Sequence, residues 1–218
     1  MYLDALDYAK NVADRISRIS QQEYFLRNNR ETKCLIDEEW PLATLGKILY
    51  HPNRLIQIEY YGPESLVGYD ASIRVVGSQK SLEGWDDETP VEITSAYYKN
   101  SYLVREEMGT KGISFGPNGI SRNANGDVES KCVARNSGDD FKEFIPELIL
   151  SLDKKYSRVN PYPDNCLLVC ALFAEREPWA LQWSELLGEV NHKLKGRIKY
   201  KTMLIDTFGC RCFGLGKS

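Results

Sequence analysis

The sequence predicts an α/β protein of the α+β type, with a central mixed β-sheet flanked by helices. Two stretches, within residues 2–28 and 139–158, repeat apolar residues at the period of an amphipathic helix. Other segments alternate apolar and polar residues, or are apolar throughout, as strands do when one or both faces are covered. Together these patterns favour a single domain over residues 1–218.

The composition is that of an ordinary globular protein with a small excess of negative charge. Apolar residues make up 42% of the chain and charged residues 27%, and the net charge is −3. Proteins that grip nucleic acid through many phosphates are usually basic, so DNA binding here would need local basic patches. Two clusters are candidates, although each is equally compatible with a solvated surface: Arg15, Arg18, Arg27, Arg30 and Lys33, and His192, Lys193, Lys195, Arg197, Lys199 and Lys201.

The sequence predicts a cytoplasmic protein with reduced thiols and no membrane partner. The first residues lack the basic and apolar regions of a signal peptide, and no apolar run approaches the roughly 18 residues of a membrane span. Cys166 and Cys170 would lie roughly 13 Å apart along a strand, too far to share a metal ion. No second ligand pair accompanies Cys210 and Cys212, so a zinc site is not expected.

The first predicted helix, residues 2–28, carries a carboxylate on its apolar stripe. Glu23 falls between Ile19 and Leu26, which both belong to that stripe. A buried acid needs a partner, a metal or a water-filled cleft beside it. The alternative is that the helix has already left the core by Glu23.

Three strands are predicted next, after a short helix at residues 41–49. Residues 54–61, 69–76 and 89–96 alternate apolar and polar side chains, as strands with one covered face do. A polar loop at 77–89 separates the second strand from the third. The short connections favour an antiparallel meander.

The remaining predicted elements alternate helices with strands around one insertion. A helix begins at Asn100 or Ser101, either of which can cap it. Residues 109–138 are rich in Gly and Asn, and Asn125-Gly126 predicts a hairpin within an inserted β-ribbon. The last elements are a helix at 139–158, a buried strand at 165–174, a helix at 178–195 and a strand at 200–208.

Two of the predicted strands carry carboxylates that a divalent cation can bridge. Asp70 stands at the start of one strand, and Glu92 shares one face of the next strand with Thr94 and Ala96. Carboxylates on neighbouring strands offer the hard oxygen ligands that Mg²⁺ or Mn²⁺ prefers. The alternative is that Asp70 closes a turn and Glu92 is a solvated strand residue.

The order of the elements resembles the core of the PD-(D/E)XK nuclease-like superfamily, which has a restriction-endonuclease-like fold. The residues that carry the resemblance are Asp70, Glu92-Ile93-Thr94 and, more weakly, Glu23. The chain is also similar to nuclease-like proteins in which a Glu-Ile-Thr-x-Ala strand precedes an Asn-x-x-Leu-x-Arg-Glu helix, here residues 92–96 and 100–106. The similarity covers roughly residues 1–110 by motif and the rest by element order.

The resemblance implies a Mg²⁺-dependent nuclease that acts on DNA. Asp70, Glu92 and the backbone carbonyl of Ile93 would hold Mg²⁺ or Mn²⁺ as a cofactor. Glu23 would be a further acid, and the ion would lower the pKa of a bound water. The family's lysine, two residues after the glutamate, is replaced here by Thr94. A hydroxyl can orient a water molecule but cannot neutralise an oxyanion.

Because of that replacement, either a basic residue reaches the site from elsewhere or the site is inactive. Lys99 and Arg105, on the segment after the acidic strand, are the nearest candidates. A rival Glu-x-Lys match runs from Glu129 to Lys131, with Asp127 ahead of it. It follows the Asn-Gly turn, where side chains are usually exposed, and no neighbouring buried strand supplies a second acid.

The sequence leaves three functions open. The first is a nuclease, and the second is a catalytically inactive nuclease-like fold that binds protein or nucleic acid. The third is a structural α/β domain without a polar site. If Glu23, Asp70 and Glu92 lie close together, the purely structural domain is excluded. If the charged end of a Lys or Arg side chain also reaches these three acids, a nuclease is favoured over an inactive binding module.

Overall fold

The structure, a computed structural model, describes residues 1–76, 86–116, 118–134, 137–173, 180–207 and 210–215. It shows a seven-stranded mixed sheet with helices packed against it and a separate two-stranded sheet. The predicted α+β fold class is therefore confirmed. Most of the predicted polar loop at 77–89 lies outside the described residues.

The helices and strands follow one another along the chain as follows. The helices are α1 (Ala5–Ile16), α2 (Gln21–Leu26), α3 (Arg30–Cys34), a π-helix (Leu35–Glu39), α4 (Trp40–Leu49), α5 (Ser101–Lys111), α6 (Ser137–Tyr156) and α7 (Ala180–Lys193). The strands are β1 (Leu3–Asp4), β2 (Leu55–Tyr60), β3 (Ala71–Val76), β4 (Glu88–Tyr97), β5 (Ile120–Arg122), β6 (Val128–Ser130), β7 (Leu167–Phe173), β8 (Lys201–Asp206) and β9 (Arg211–Leu215). None of the described helices is long and apolar enough to cross a membrane.

The large sheet has the strand order β1-β2-β3-β4-β7-β8-β9. Strands β2, β3 and β4 form the predicted antiparallel meander, whereas β4, β7 and β8 are parallel to one another. Parallel neighbours need long crossover connections, which α5, the β5-β6 ribbon and α6 provide after β4, and α7 provides after β7. Strand β4 is therefore central, with an antiparallel neighbour on one side and a parallel neighbour on the other.

The large sheet separates two hydrophobic cores. On one face, Val91 and Ile93 of β4 pack with residues of α1 and α4. On the other face, Ala96 of β4 packs with α6 and α7 through residues such as Phe144 and Leu186. Side chains alternate along a strand, so Glu92 belongs to the face that α6 covers.

The prediction of one helix over residues 2–28 is wrong, because the chain forms α1 and α2 there. The break lies at Ser20, whose hydroxyl accepts a hydrogen bond from the Glu23 N–H at 3.2 Å. The Glu23 carboxylate in turn accepts from the Ser20 N–H at 3.0 Å, which completes a capping box. Short edge strands β1 and β9 were also missed, since they are too brief to show a clear alternation.

The π-helix between α3 and α4 carries three consecutive acids, Asp37, Glu38 and Glu39. Glu39 is buried and accepts two hydrogen bonds from the Arg15 guanidinium, at 2.6 and 3.0 Å. Such a two-point pair compensates the cost of burying the carboxylate. Short π-helical turns within α-helices frequently occur at functional sites.

A second buried ion pair ties the π-helix to α2 and β4. Arg27 donates to Asp37 Oδ1 and to the Tyr97 hydroxyl, and Tyr97 donates to the same carboxylate oxygen. The side chains of Arg27 and Asp37 are only 8% and 14% exposed. The three groups thus fix the end of α2 against the sheet.

Replacing Arg27 with Met is expected to destabilise the fold by about 3 kcal/mol or more, because Asp37 would lose its charged partner while staying largely buried. The loss would be measured as the free energy of unfolding in urea. The variant Lys193→Met is the matched control. It breaks an exposed pair with Glu189 and should cost less than about 0.5 kcal/mol.

The double variant Arg27→Met/Asp37→Leu tests the cause of that loss. Removing the carboxylate together with its partner should recover a large part of the stability lost in Arg27→Met. A double variant no more stable than the single one would show that the loss does not come from an unpaired carboxylate.

Candidate functional site

Asp70 and Glu92 lie on adjacent strands, at the point where the pairing of β3 with β4 ends. Asp70 directly precedes β3, and its N–H donates to the Val91 carbonyl at 3.0 Å. Its carboxylate Oδ2 accepts from the Ile93 N–H at 2.7 Å. The last paired residues are Ala71 and Val91, so beyond them β4 is bordered by the Asp70 side chain.

The Glu92 carboxylate is 5% exposed, and two donors bind one of its oxygens. Lys155, in the last turn of α6, donates to Oε1 at 2.5 Å, and the Tyr162 hydroxyl donates to the same atom at 2.8 Å. Burial, and then the hydrogen bond to Glu92, raise the pKa of Tyr162, so the phenol stays protonated and acts as a donor. We call Asp70, Glu92, Lys155 and Tyr162 the carboxylate site.

A second cation stands at the rim of the carboxylate site. Arg158 is exposed, and its guanidinium carbon lies 4.6 Å from the centre of the Tyr162 ring. Its hydrogen bond with Tyr162 raises the pKa of Arg158, and the charges of Glu92 and Asp70 raise it further. Arg158 also donates to the Gly68 carbonyl at 3.2 Å and so connects the segment after α6 with the loop before Asp70.

Asp70 is a largely buried carboxyl group with a second carboxylate beside it. Burial and the neighbouring Glu92 charge raise the pKa of Asp70 to about 7. The Ile93 N–H and the Lys155 ammonium act in the opposite direction but do not cancel the rise. A carboxyl group in this state gains from any additional cation placed beside it.

A third acid, Glu38 of the π-helix, contributes to the same field. Its charge adds to the raised pKa of Asp70. Its Oε2 accepts a hydrogen bond from the Tyr60 hydroxyl of β2 at 2.5 Å. The sequence analysis did not single out Glu38. It is nevertheless an acid on a helix whose charge raises the pKa of Asp70.

Glu23 does not occupy that position, so the predicted convergence of Glu23 with Asp70 and Glu92 is wrong. It is exposed on α2, and its carboxylate binds the N–H and the hydroxyl of Ser20. These two bonds lower the pKa of Glu23. The argument from an apolar stripe failed because α2 is a separate helix with its own orientation.

Three oxygen atoms near Asp70 suit a divalent cation. Among the described residues, Asp70 Oδ1 and Glu92 Oε2 accept no hydrogen bond. The N–H and C=O of one strand residue point to the same side, so the Ile93 carbonyl faces the edge where its N–H binds Asp70. Two carboxylates and a carbonyl are hard ligands of the type that Mg²⁺ takes.

The described part of the chain contains no group of three or more His, Cys, Asp or Glu side chains placed to hold one metal ion. Glu38 therefore acts on Asp70 through its charge and does not complete a cage of three carboxylates. A Mg²⁺ ion held by few protein ligands keeps several water molecules, which is its usual behaviour in phosphate-handling sites.

The cation beside Glu92 does not come from the segment after β4, contrary to the expectation from the sequence. Lys99 is exposed in the turn between β4 and α5. Arg105 lies over the ring of Tyr97, with its guanidinium carbon 4.7 Å from the ring centre. Tyr97 is five residues beyond Glu92 on β4, which is roughly 16 Å along an extended strand.

Thr94 lies two residues after Glu92 on the same face of β4 and is half-buried. Its register partner on β7 is Cys170, so the neighbouring strand supplies no charge at this level. The ammonium that binds Glu92 comes from Lys155 of α6.

The rival Glu-x-Lys match lies on the ribbon and away from the large sheet. Asp127, Glu129 and Lys131 are all exposed, and Glu129 accepts a hydrogen bond from Asn123 Nδ2 at 2.8 Å. Strand β6 pairs with β5 in a separate two-stranded sheet. Because β6 is not part of the large sheet, its motif has no neighbouring strand of that sheet among the described residues to supply a second acid.

Several members of the two basic clusters are already engaged in ion pairs. Arg27 is buried with Asp37, and Arg197 donates to Asp153 at 2.7 Å. The cations nearest the carboxylate site lie on and after α6 and belong to neither cluster.

Comparisons of the chain with protein-family models, with curated proteins and with solved structures found no match. The nuclease-like resemblance therefore depends on the motif and the order of elements. The geometry of the carboxylate site has to carry any functional conclusion.

The variant Asp70→Asn is expected to be more stable than the wild type above pH 7 in metal-free buffer, by roughly 2 kcal/mol after allowance for the partial exposure of Asp70. The pKa of Asp70 rises from its ordinary value of 3.8 to about 7 on folding. The folded state therefore binds the extra proton in this window, and stability falls as pH rises through it. Asparagine keeps an oxygen for the Ile93 N–H but does not titrate.

Urea unfolding at about pH 4 and about pH 8 measures this effect, which should be largest at the higher pH and almost absent at the lower one. Glu64→Gln is the control, because Glu64 lies in the same loop with its side chain 87% exposed. If Asp70→Asn and the wild type lose the same stability between these pH values, the pKa of Asp70 is not raised.

Proposed function

We propose that the chain is a Mg²⁺-dependent nuclease that hydrolyses phosphodiester bonds of DNA. The observation that carries the proposal is the position of Lys155, whose ammonium lies 2.5 Å from Glu92 and acts on Asp70 of the adjacent strand. Two carboxylates with one ammonium are the groups that the PD-(D/E)XK nuclease-like superfamily, which the sequence resembles, combines at its site. The sequence offered the carboxylates and lacked the ammonium, because Thr94 stands at the usual lysine position.

Asp70, Glu92 and the carbonyl of Ile93 are the groups that would hold Mg²⁺ or Mn²⁺. When bound, the ion would polarise a phosphodiester and lower the pKa of a bound water. The protein residues around these ligands fix their orientation. The Ile93 N–H holds Asp70, and the Tyr162 hydroxyl holds Glu92.

Lys155 contributes charge at the place where negative charge develops. An ammonium has three N–H donors, and one of them binds Glu92 Oε1. The others are available to orient a water molecule or to bind a phosphoryl oxygen. A fixed positive charge in a partly buried site lowers the energy of an oxyanion more than it would in water.

A second candidate function is a catalytically inactive nuclease-like module that binds protein or nucleic acid. The observation in its favour is that Lys155 and Tyr162 already neutralise and hydrogen-bond the buried Glu92 carboxylate without a metal ion. A decayed site would need such compensation in order to stay folded. The response to divalent ions distinguishes the two candidates.

Mg²⁺ or Mn²⁺ is expected to stabilise the wild type, by about 2.7 kcal/mol when the free ion is at one hundred times its dissociation constant. Glu92→Gln should remove most of this stabilisation, because it removes one anionic ligand. The stabilisation is read from the thermal unfolding midpoint as the ion is titrated.

Glu129→Gln is the matched control for the ion titration, since it alters the exposed Glu-x-Lys match of the ribbon. It should respond to the ion as the wild type does. A wild type that is indifferent to both ions would leave the inactive module as the better function. Loss of the response in Glu129→Gln alone would move the metal site to the ribbon.

Lys155→Met is expected to reduce Mg²⁺-dependent cleavage of labelled DNA on the order of 100-fold, because it removes the charge that meets the developing oxyanion. The ion should still stabilise the variant, since both carboxylates remain. Lys154→Met is the control, because Lys154 is the exposed neighbour on the same helix turn.

The variant Thr94→Lys completes this test. If Lys155 already supplies the ammonium, a second lysine from β4 should leave cleavage unchanged or reduce it. Cleavage that survives in Lys155→Met, or that rises sharply in Thr94→Lys, would contradict the assignment of Lys155.

A further inference from the structure

The loop that leads into Asp70 presents apolar side chains to solvent. We call residues 61–70, between β2 and β3, the Leu66 loop. Leu66 is fully exposed and Val67 is 45% exposed. Leu66 is four residues before Asp70 in the chain, so the loop that carries it ends at the carboxylate site. Isolated exposed apolar residues are common on proteins, so this position needs further support.

The Leu66 loop is held in place from both sides by arginines. Arg30, at the start of α3, donates to the Pro63 carbonyl at 2.9 Å. Arg158 donates to the Gly68 carbonyl at 3.2 Å on the other side. Within the loop, the Ser65 N–H donates to the Gly62 carbonyl at 3.2 Å. An apolar tip on a braced loop can insert into a partner at a smaller entropic cost than one on a loose loop.

A second apolar tip lies on the segment after α6. Val159 is 93% exposed and directly follows Arg158, which contacts the Leu66 loop. Three residues later, Tyr162 binds Glu92. Both exposed tips therefore belong to segments that end at the carboxylate site.

Cations accompany both tips. The Arg30 side chain is 62% exposed, and its guanidinium lies 3.6 Å from the exposed Glu64 carboxylate of the loop. Arg158 is exposed beside Val159. Nucleic acid offers partners for both groups, because its phosphates bind arginine and its base steps admit inserted apolar side chains. Proteins that kink or open a duplex insert Leu, Ile, Met or Phe between base steps in this way.

We propose that the Leu66 loop is a nucleic-acid wedge, and that the preferred substrate has unpaired or unstacked bases beside the phosphate that is cut. Leu66 and Val159 contact the opened bases, while Arg30 and Arg158 contact the flanking phosphates. This inference rests on the proposed nuclease function and specifies its substrate class.

The contact area of the tips favours bases over a folded protein partner. The two tips and Val67 are three small side chains, whereas a stable protein interface buries more than about 1,000 Å². A bilayer surface would also accept apolar tips flanked by cations. Anionic vesicles are therefore included as an arm of the test.

The test compares binding of two labelled duplexes, one fully matched and one with a short central bubble, with Ca²⁺ in place of Mg²⁺ so that binding is measured without cleavage. The wild type should bind the bubble at least about fivefold more tightly, because the bubble spares the cost of unstacking a base step. In Leu66→Ser the ratio of the two dissociation constants, matched duplex over bubble, should fall to nearly one. Leu150→Ser, which alters a residue 50% exposed on α6, should keep it.

The outcomes separate this inference from the proposed function. A preference for the bubble that depends on Leu66 supports the wedge. If such a preference is found but no cleavage follows when Mg²⁺ is added, the nuclease proposal fails and the wedge proposal stands. Cleavage of both duplexes at equal rates, with equal affinity for both, would overturn the wedge and leave the nuclease. Binding to anionic vesicles that Leu66→Ser abolishes, with DNA binding unchanged, would also overturn it.

Discussion

The structure depends on one electrostatic constraint, which is that a carboxylate on the central strand of the sheet must be neutralised. Glu92 is buried on the face of β4 that α6 covers, where an unpaired charge would cost several kcal/mol. Its neutralisation requires the last turn of α6 to deliver Lys155 and the following segment to deliver Tyr162. The position of α6 on the sheet is thus coupled to the charge of a single strand residue.

The parts of this arrangement that are local in sequence could be predicted, and the parts that are not local could not. Alternation along β4 was enough to place Glu92 on the face opposite Val91 and Ile93, and the meander placed Asp70 beside it. Lys155 and Glu92 are 63 residues apart, so no spacing rule joins them. In the sequence, Lys155 is simply a basic residue in the last turn of a helix, which is common because it complements the helix dipole.

The wrong prediction for Glu23 has a different physical cause. The periodicity that assigned Glu23 to a buried stripe assumes one continuous helix, and the capping box at Ser20 interrupts it. Glu38 was missed for the converse reason, since it lies in a π-helix whose wider turn shifts the phase of the side chains. A Ser-x-x-Glu pattern was visible and could have corrected the first error. The π-helix has no comparable signature in a single sequence.

Arg158 connects the carboxylate site with the loop that borders it. Its guanidinium stacks on Tyr162, which binds Glu92, and it also donates to the Gly68 carbonyl two residues before Asp70. A phosphate that bound Arg158 would compete for these contacts, and so would alter both the hydrogen bonding of Tyr162 and the position of the loop. The rim of the site and the electrostatics of the carboxylates are therefore linked through one side chain.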